Sequence, residues 1–324
     1  MNVNMVQALN QALDIALEQD ESVVLLGEDV GIDGGVFRVS EGLIQKHGSA
    51  RVIDMPLAES GIIGASIGMA IYGLRPVAEI QFMGFIFPAF NQIVAHAARL
   101  RNRSRGRFPV PLVIRMPYGA GVKALEHHSE STEALLCHIP GLTVVVPSNP
   151  YDAKGLLLSS IKADDPVIFL EPTKLYRAGR QEVPEEAYEV PLRSARVVRE
   201  GEGATIICWG AMVPRVEAAA DALEEDGIFP EIIDLRTLSP MDHEAIIRSV
   251  KITGRAVIVH EAPKSGGLGG EISALIQENA LLSLEAPVMR ITGQDITVPL
   301  PKSEDYYYPS PARIAQGIKK TLEF

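Results

Sequence analysis

The chain has 324 residues, of which 47% are hydrophobic and 22% charged, the balance of a folded globular protein with room for about two domains. Its 30 Lys and Arg against 41 Asp and Glu give a formal net charge of −11, which disfavours binding to nucleic acid or to an anionic membrane surface. Two cysteines are too few for a disulfide framework, and no apolar run is as long as a membrane span. We therefore expect a cytoplasmic, folded enzyme.

The first half of the chain alternates between short apolar runs and amphipathic segments. Residues 3–19 place apolar side chains at helical spacing, and the apolar run 23–27 is typical of a buried strand. The same reasoning predicts strands at 76–82, 111–116, 142–146 and 167–170, and helices around 90–97 and at 152–161. Apolar strands separated by helices predict a parallel sheet that is covered on both faces.

A second alternating set follows a stretch of acids, prolines and basic residues with few apolar runs. We predict one domain at 1–185, a connector at 186–202 and a second domain at 203–324. In the second domain the patterns predict strands at 204–209, 231–235, 256–260 and 288–291, and helices at 214–226, 271–282 and 314–322. The predicted fold class is therefore α/β, with two doubly wound domains.

One familiar catalytic motif lacks the context that it needs. Residues 64–68 match G-x-S-x-G, in which Ser66 would be a hydrolase nucleophile on a sharp turn between strand and helix. Glycines and other small residues recur here three or four positions apart over 61–71, which is typical of a close-packing helix face. We therefore favour a helix over a nucleophile at Ser66.

Two polar positions have both a structural and a functional interpretation. Glu59 precedes the small-residue helix, so it is either an acid at a helix start or a desolvated, functional carboxyl. His127 and His128 lie in a polar loop after a glycine turn, and they are either acid–base groups or merely solvated side chains. The residues alone leave both pairs of alternatives open.

A series of motifs in fixed order carries a family resemblance. They are M-V-Q-A-L-N-Q-A-L at 5–13, G-E-D-V-G at 27–31, G-G-V-F-R at 34–38, P-L-A-E-S-G at 56–61, G-L-R-P-V-A-E-I-Q-F at 73–82, H-S at 128–129, P-Y-D-A-K-G-L-L at 150–157, D-P-V-I-F-L-E-P at 165–172, D-L-R-T-L at 234–238 and K-I-T-G-R at 251–255. With these motifs the chain resembles, nearly end to end, the β subunits of the E1 component of the 2-oxo acid dehydrogenase complexes.

The resemblance implies a fold, a cofactor and partners. The fold would be an N-terminal pyrimidine-binding domain, of the kind that binds thiamine diphosphate, followed by a transketolase-type C-terminal domain. The E1 α subunit would complete an α2β2 heterotetramer. It would also supply most of the groups that hold the Mg²⁺, since this chain lacks the G-D-G…N-N run of the α partner. The assembly would decarboxylate a small-molecule 2-oxo acid and reductively acylate the lipoyl group of an E2 acyltransferase.

Individual site residues also follow from the resemblance. Glu59 matches the acid that shares a proton with the aminopyrimidine of the cofactor, and His128 matches a catalytic histidine beside the cofactor. Phe85 matches the aromatic that packs on the aminopyrimidine, although ordinary core packing is its alternative. Leu57 is a further cofactor-binding position. Glu28 belongs either to an acidic network behind Glu59 or to a cap of the following loop.

Two further implications of the resemblance concern a structural cation and the substrate. Some members of the family bind a structural monovalent cation, K⁺ for example, at positions that match Leu112, Ser160, Ala163 and Asp165 here. The segments around 81–94 and 260–267 are more similar to branched-chain 2-oxo acid enzymes than to pyruvate enzymes, so a branched-chain substrate is favoured. A pyruvate or acetoin dehydrogenase is the alternative, and a noncatalytic scaffold subunit docking on E2 is the alternative of another class.

Overall fold

The computed structural model describes all residues from Met1 to Phe324. The strands are β1 Asn2–Val3, β2 Val23–Gly27, β3 Val52–Asp54, β4 Arg75–Glu79, β5 Val113–Tyr118, β6 Thr143–Val145, β7 Val167–Pro172, β8 Gln181–Glu182, β9 Arg196–Arg199, β10 Thr205–Cys208, β11 Glu231–Asp234, β12 Thr237–Ser239, β13 Ala256–Pro263 and β14 Met289–Gly293. The helices are α1 Met5–Gln19, α2 Leu43–His47, α3 Glu59–Ile71, α4 Leu100–Arg103, α5 Glu133–Cys137, α6 Pro150–Lys162, α7 Met212–Glu224, α8 His243–Thr253, α9 Gly269–Ala280 and α10 Pro311–Leu322. None of these helices has the length and apolar character needed to cross a membrane.

The N-terminal sheet has seven strands in the order β12-β6-β7-β5-β4-β2-β3. All neighbours are parallel except β12, which joins the edge of β6 antiparallel. The predicted strands and helices of this half are confirmed, and the predicted helix around 90–97 is a π-helical turn at Gln92–Ala97. The sheet is therefore the covered parallel sheet that the sequence predicted.

The C-terminal sheet has five strands in the order β14-β13-β10-β11-β9, and only β9 is antiparallel to its neighbour. The predicted two-domain, doubly wound α/β fold is thus confirmed. Strand β9 lies within the predicted connector at 186–202, so part of that segment is an edge strand of the second sheet. Strand β12 belongs to the second half of the chain but pairs with the first sheet.

Hydrophobic cores lie on both faces of each sheet. One face of the N-terminal sheet packs against α1, α2 and α6, and one face of the C-terminal sheet packs against α7 and α10. The facing sides share a continuous core to which α3, α8 and α9 contribute. Trp209, fully buried just after β10, belongs to this shared core. The two domains therefore pack against each other through one continuous core.

Candidate active site

The carboxyl ends of four neighbouring strands bring the predicted site residues to one edge of the N-terminal sheet. Strands β3, β2, β4 and β5 lie side by side and parallel, in that order. Glu59 follows β3, Glu28 follows β2, Phe85 follows β4, and the loop with His128 follows β5. Ligands of parallel sheets bind in the crevice at this end of the strands. Residues far apart in the sequence are therefore gathered at one candidate site.

Glu59 is the first residue of α3, as the helix-start interpretation predicts, and its role as a functional carboxyl stays a prediction. Ala58 precedes it without a side-chain cap, so the half-buried Glu59 is the only acid in the first turn of the helix. Burial raises the pKa of Glu28 above its ordinary value, and the negative charges of Asp29 and Glu59 raise it further by smaller amounts. The carboxyls of Glu28 and Glu59 therefore lie close enough to influence each other, as an acidic pair requires.

Phe85 and His128 form an aromatic wall with Phe82. The ring centroids of His128 and Phe85 are 5.2 Å apart, and those of His128 and Phe82 are 4.7 Å apart, both in edge-to-face geometry. The Nδ1 atom of His128 is buried without a hydrogen-bond partner. Burial and the neighbouring His127 lower the pKa of His128. The imidazole is therefore mainly neutral at neutral pH.

A glycine lets the His128 loop, residues 119–131, lie against the turn that carries Phe85. A Cβ on Gly84 would collide with the carbonyl oxygen of His127, and it would lie 3.1 Å from the Glu130 side chain. Burial raises the pKa of Glu130, which is half-buried at this contact. The close approach of the two segments explains why the sequence has glycine in the middle of an aromatic run.

A buried ionic network, which was not predicted from the sequence, lies behind the site. Arg115 on β5 donates to both oxygens of Glu171 at 2.7 Å each and also to Glu79. The hydroxyl of Tyr176 donates to Glu171 at 2.5 Å. All four side chains are buried. The available signal was a single arginine between apolar neighbours in a buried strand, because a charge there needs partners.

Leu57 and the candidate cation positions differ in how their groups are placed. The Leu57 side chain is 73% exposed, so its role as a cofactor contact stays a prediction. The carbonyl of Ala163 accepts a hydrogen bond from Arg75 at 3.1 Å, and the Asp165 carboxylate is paired with Arg101. A monovalent cation would therefore compete with two guanidinium groups for these oxygens. The side chain of Ser160 donates to Leu156 at 2.7 Å, and the carbonyl of Leu112 accepts from the amide of Val167 at 2.9 Å.

Ser66 is not an exposed nucleophile. It lies within α3, its side chain is fully buried, and its hydroxyl donates to the carbonyl of Ile62 at 2.7 Å. The structure thus confirms the helix that the glycine spacing predicted.

Glu133 begins α5 directly after the His128 loop, and it is buried without a salt bridge. Neither carboxyl oxygen makes a hydrogen bond of good geometry, although the indole of Trp209 approaches them. Burial raises the pKa of Glu133 from its ordinary 4.5 to about 8. This acid is therefore protonated in the folded chain at neutral pH.

The protonated Glu133 should make stability fall as pH rises. Between about pH 4.5 and pH 8 the unfolded chain releases a proton that the folded chain keeps. In this range the free energy of unfolding therefore falls by about 1.4 kcal/mol per pH unit from its value below pH 4.5. Glu133→Gln removes that slope because an amide does not titrate. Urea unfolding at pH 5.5 and pH 7.5 measures it, with the exposed Glu225→Gln as control. Equal slopes in wild type and Glu133→Gln would contradict the assignment.

Comparisons with known proteins agree with this fold. The family models "Transketolase, pyrimidine binding domain" and "Transketolase, C-terminal domain" match residues 1–179 and 193–314. A solved structure described as a split-gene transketolase, an inactive β4 tetramer, has a TM-score of 0.82 over 100% of this chain and 99% of its own, at 22% identity. The class of protein is therefore a transketolase-type, two-domain α/β protein.

Curated relatives narrow this class. The chain is 55% identical to the pyruvate dehydrogenase E1 component subunit beta of Acholeplasma laidlawii, over 98% of this chain and 97% of that one. It is 49% identical to the protein of the same name from Staphylococcus epidermidis, over 99% of both chains. It is 48% identical to the 2-oxoisovalerate dehydrogenase subunit beta of Pseudomonas aeruginosa, over 99% of this chain and 95% of that one. The chain belongs to the family of E1 β subunits of the 2-oxo acid dehydrogenases.

Proposed function

We propose that this chain supplies one half of a thiamine diphosphate-dependent active site, in an α2β2 heterotetramer that decarboxylates a 2-oxo acid and reductively acylates the lipoyl group of E2. Family membership implies the cofactor, the α partner and the E2 component. The observation that carries the proposal is the convergence of Glu59, Glu28, Phe85 and His128 at adjacent strand ends. The free thiols of Cys137 and Cys208 suit a cytoplasmic location.

The residues at this edge fit the aminopyrimidine half of the cofactor. When bound, thiamine diphosphate supplies the nucleophilic carbon and the electron sink for decarboxylation. Glu59 would share a proton with the aminopyrimidine, while the face of Phe85 would exclude water and fix the ring orientation. The neutral imidazole of His128 would hold or donate a proton toward the substrate or the dithiolane. The Mg²⁺ and the diphosphate would be held mainly by the α chain.

The α3 helix offers a face to which a partner helix could pack closely. Nothing lies within 4 Å of where a Cβ would be on Gly64 or Gly68, and Tyr72, next to the helix end, is 92% exposed. Small residues let helices approach closely, and an exposed aromatic of this kind is typical of interfaces. We therefore place part of the α-subunit contact on this face.

Gly68→Leu should block association with the α subunit while the chain still folds. The new side chain enters open space and a helical backbone, so the isolated chain loses little stability, but a closely packed partner would clash with it. Co-purification with a tagged α chain measures the effect, with at least a tenfold loss expected. Gly179→Leu, at another exposed glycine with open space, should co-purify normally. Normal co-purification of Gly68→Leu would show that the α subunit does not pack against this face of α3.

The proposed substrate is a 2-oxo acid, for which two candidates follow. We favour a branched-chain 2-oxo acid because of the segments at 81–94 and 260–267. Pyruvate is the second candidate, and the relatives named as pyruvate dehydrogenase at 55% and 49% identity support it. The α chain would complete the acyl pocket, so both acids must be tested on the assembled protein.

Co-expression with an α-chain candidate tests the proposed function directly. Decarboxylation is measured with 2-oxoisovalerate and pyruvate in parallel, with thiamine diphosphate and Mg²⁺ present. We expect the pair to be active and the separate chains to be inactive. Full turnover by the isolated β chain would contradict the half-site arrangement. An assembled pair that turns over neither acid, while still binding E2, would instead indicate a scaffold subunit.

His128→Ala should separate the two partial reactions. Acyl transfer to the lipoyl domain is expected to fall by about 10²-fold, because a positioned acid–base group is lost. Decarboxylation with an artificial oxidant should fall less, since it does not require proton transfer to the dithiolane. His138→Ala, at an exposed histidine after α5, is the matched control. Unchanged rates for both reactions would show that His128 has no such role.

A further inference from the structure

One buried carboxyl of the C-terminal domain touches the loop that carries His128. We define the His128 loop as residues 119–131. Its last residue, Ser131, donates its hydroxyl hydrogen to Oε1 of Glu261 at 2.9 Å. Glu261 lies on β13, in the second sheet, and is only 2% exposed. The contact therefore joins the loop of one domain to a rigid strand of the other.

The same carboxyl also bounds the start of the loop. Gly119 has a φ of +74°, and a Cβ at this position would collide with Oε1 of Glu261. The amide of Gly119 donates to the carbonyl of Glu130 at 2.9 Å, so the two ends of the loop are held together. Glu261 therefore contacts the point where the loop closes.

Glu261 has no salt bridge that would otherwise explain a buried acid. Its second oxygen, Oε2, is buried without a hydrogen-bond partner. The cations of Lys174 and Arg215 and the acid Glu304 influence it only at longer range, and burial raises its pKa to about 7. An unpaired buried carboxyl is unfavourable compared with an apolar side chain. Its one specific contact is therefore the hydrogen bond to the loop.

We propose that Glu261 is a positioning residue, which holds the closed His128 loop so that the imidazole stays against Phe82 and Phe85. The inference rests on the proposed function, in which His128 acts in acyl transfer. A second link from the loop to the same domain, Lys123 to Asp305 at 3.0 Å, is exposed and therefore weak. Glu261 supplies the buried link, which solvent does not screen.

Hydrogen exchange of the His128 loop in the assembled E1 tests the inference without reference to activity. Glu261→Ala and Ser131→Ala each break the bond, and amide exchange in the loop should rise at least tenfold. Glu261→Gln should exchange like the wild type, because its amide oxygen still accepts the serine hydroxyl. Asp305→Ala breaks the exposed link to Lys123 and a longer ion pair with Lys174 at 3.9 Å, and it should have little effect. Wild-type exchange in both Glu261→Ala and Ser131→Ala would overturn the proposal, and Ser131→Ala decides it if Glu261→Ala does not assemble.

The acyl-transfer rate gives a second, independent readout. Glu261→Ala should lower acyl transfer at least tenfold, and Glu261→Gln should restore it. Combined with His128→Ala, Glu261→Ala should add no further loss, because a positioning residue acts through the group that it positions. Additive losses would show that Glu261 acts by another route. If the assembled protein has no 2-oxo acid activity at all, the proposed function fails, while the exchange measurement still decides the role of Glu261.

Discussion

Glu59→Gln is expected to lower 2-oxo acid turnover on the order of 10³-fold, the loss typical of removing a positioned acid–base group. The amide keeps the size and shape of the carboxyl, but it cannot share a proton with the aminopyrimidine. Glu59 is half-buried at the first position of α3, so its loss removes only a helix-dipole interaction of about 0.3–1 kcal/mol. Assembly should therefore be unaffected. Reduction of an artificial acceptor by the assembled E1 measures the rate.

Glu244→Gln is the matched control for this substitution. Glu244 also lies in the first turn of a helix, α8, where it is exposed, and it is not one of the candidate site residues. The same change of charge at a helix start should leave turnover within twofold of the wild type. A fully active Glu59→Gln would show that Glu59 has no catalytic role and serves only as an acid at the start of α3.

Much of the fold could be predicted because buried strands leave a continuous signal. All five residues of β2, Val23–Gly27, are buried, and the apolar run between polar residues defined both of its ends. The α7 helix was predicted within two residues at each end, because Pro214 suits a first turn. In such segments the local sequence preference and burial in the folded protein favour the same secondary structure.

Strands β9 and β12 are two that were not predicted from the sequence, one because it is partly exposed and the other because its partner lies far away in the chain. Strand β9 has the sequence R-V-V-R and lies at the edge of its sheet, where its residues are partly exposed to solvent. It therefore lacks the apolar run that marks a buried strand. Strand β12 is three residues long and pairs with β6 of the other domain. Nothing near β12 in the sequence specifies that pairing.

The site was predicted only in part for the same reason. Spacing alone left Glu59 and His128 each with two interpretations, and the resemblance supplied their roles. The order β3-β2-β4-β5 brings these residues together, and that order is a property of the sheet rather than of local sequence. Glu261 carries no motif of its own, because its significance comes from the Ser131 hydroxyl, which reaches it from the other domain.

Arg115→Met should destabilise the chain by about 3–5 kcal/mol, since it leaves two buried carboxylates without their cation. Arg115 is 1% exposed and is the only cation paired with either Glu79 or Glu171. Methionine fills a similar volume, so most of the loss would come from charge rather than from a cavity. Urea unfolding of wild type and variant under the same conditions gives the difference in free energy of unfolding.

Two further variants separate the charge effect from a packing effect. Arg199→Met removes an arginine that also pairs with two acids, Glu224 at 3.0 Å and Asp221, but those acids are exposed, so a loss of at most about 1 kcal/mol is expected. Adding Glu79→Gln and Glu171→Gln to Arg115→Met neutralises the abandoned carboxylates and should recover part of the stability. A triple variant no more stable than Arg115→Met alone would mean that the guanidinium stabilises the sheet by packing. In that case the three charged groups would not form an energetic unit, although they form a geometric one.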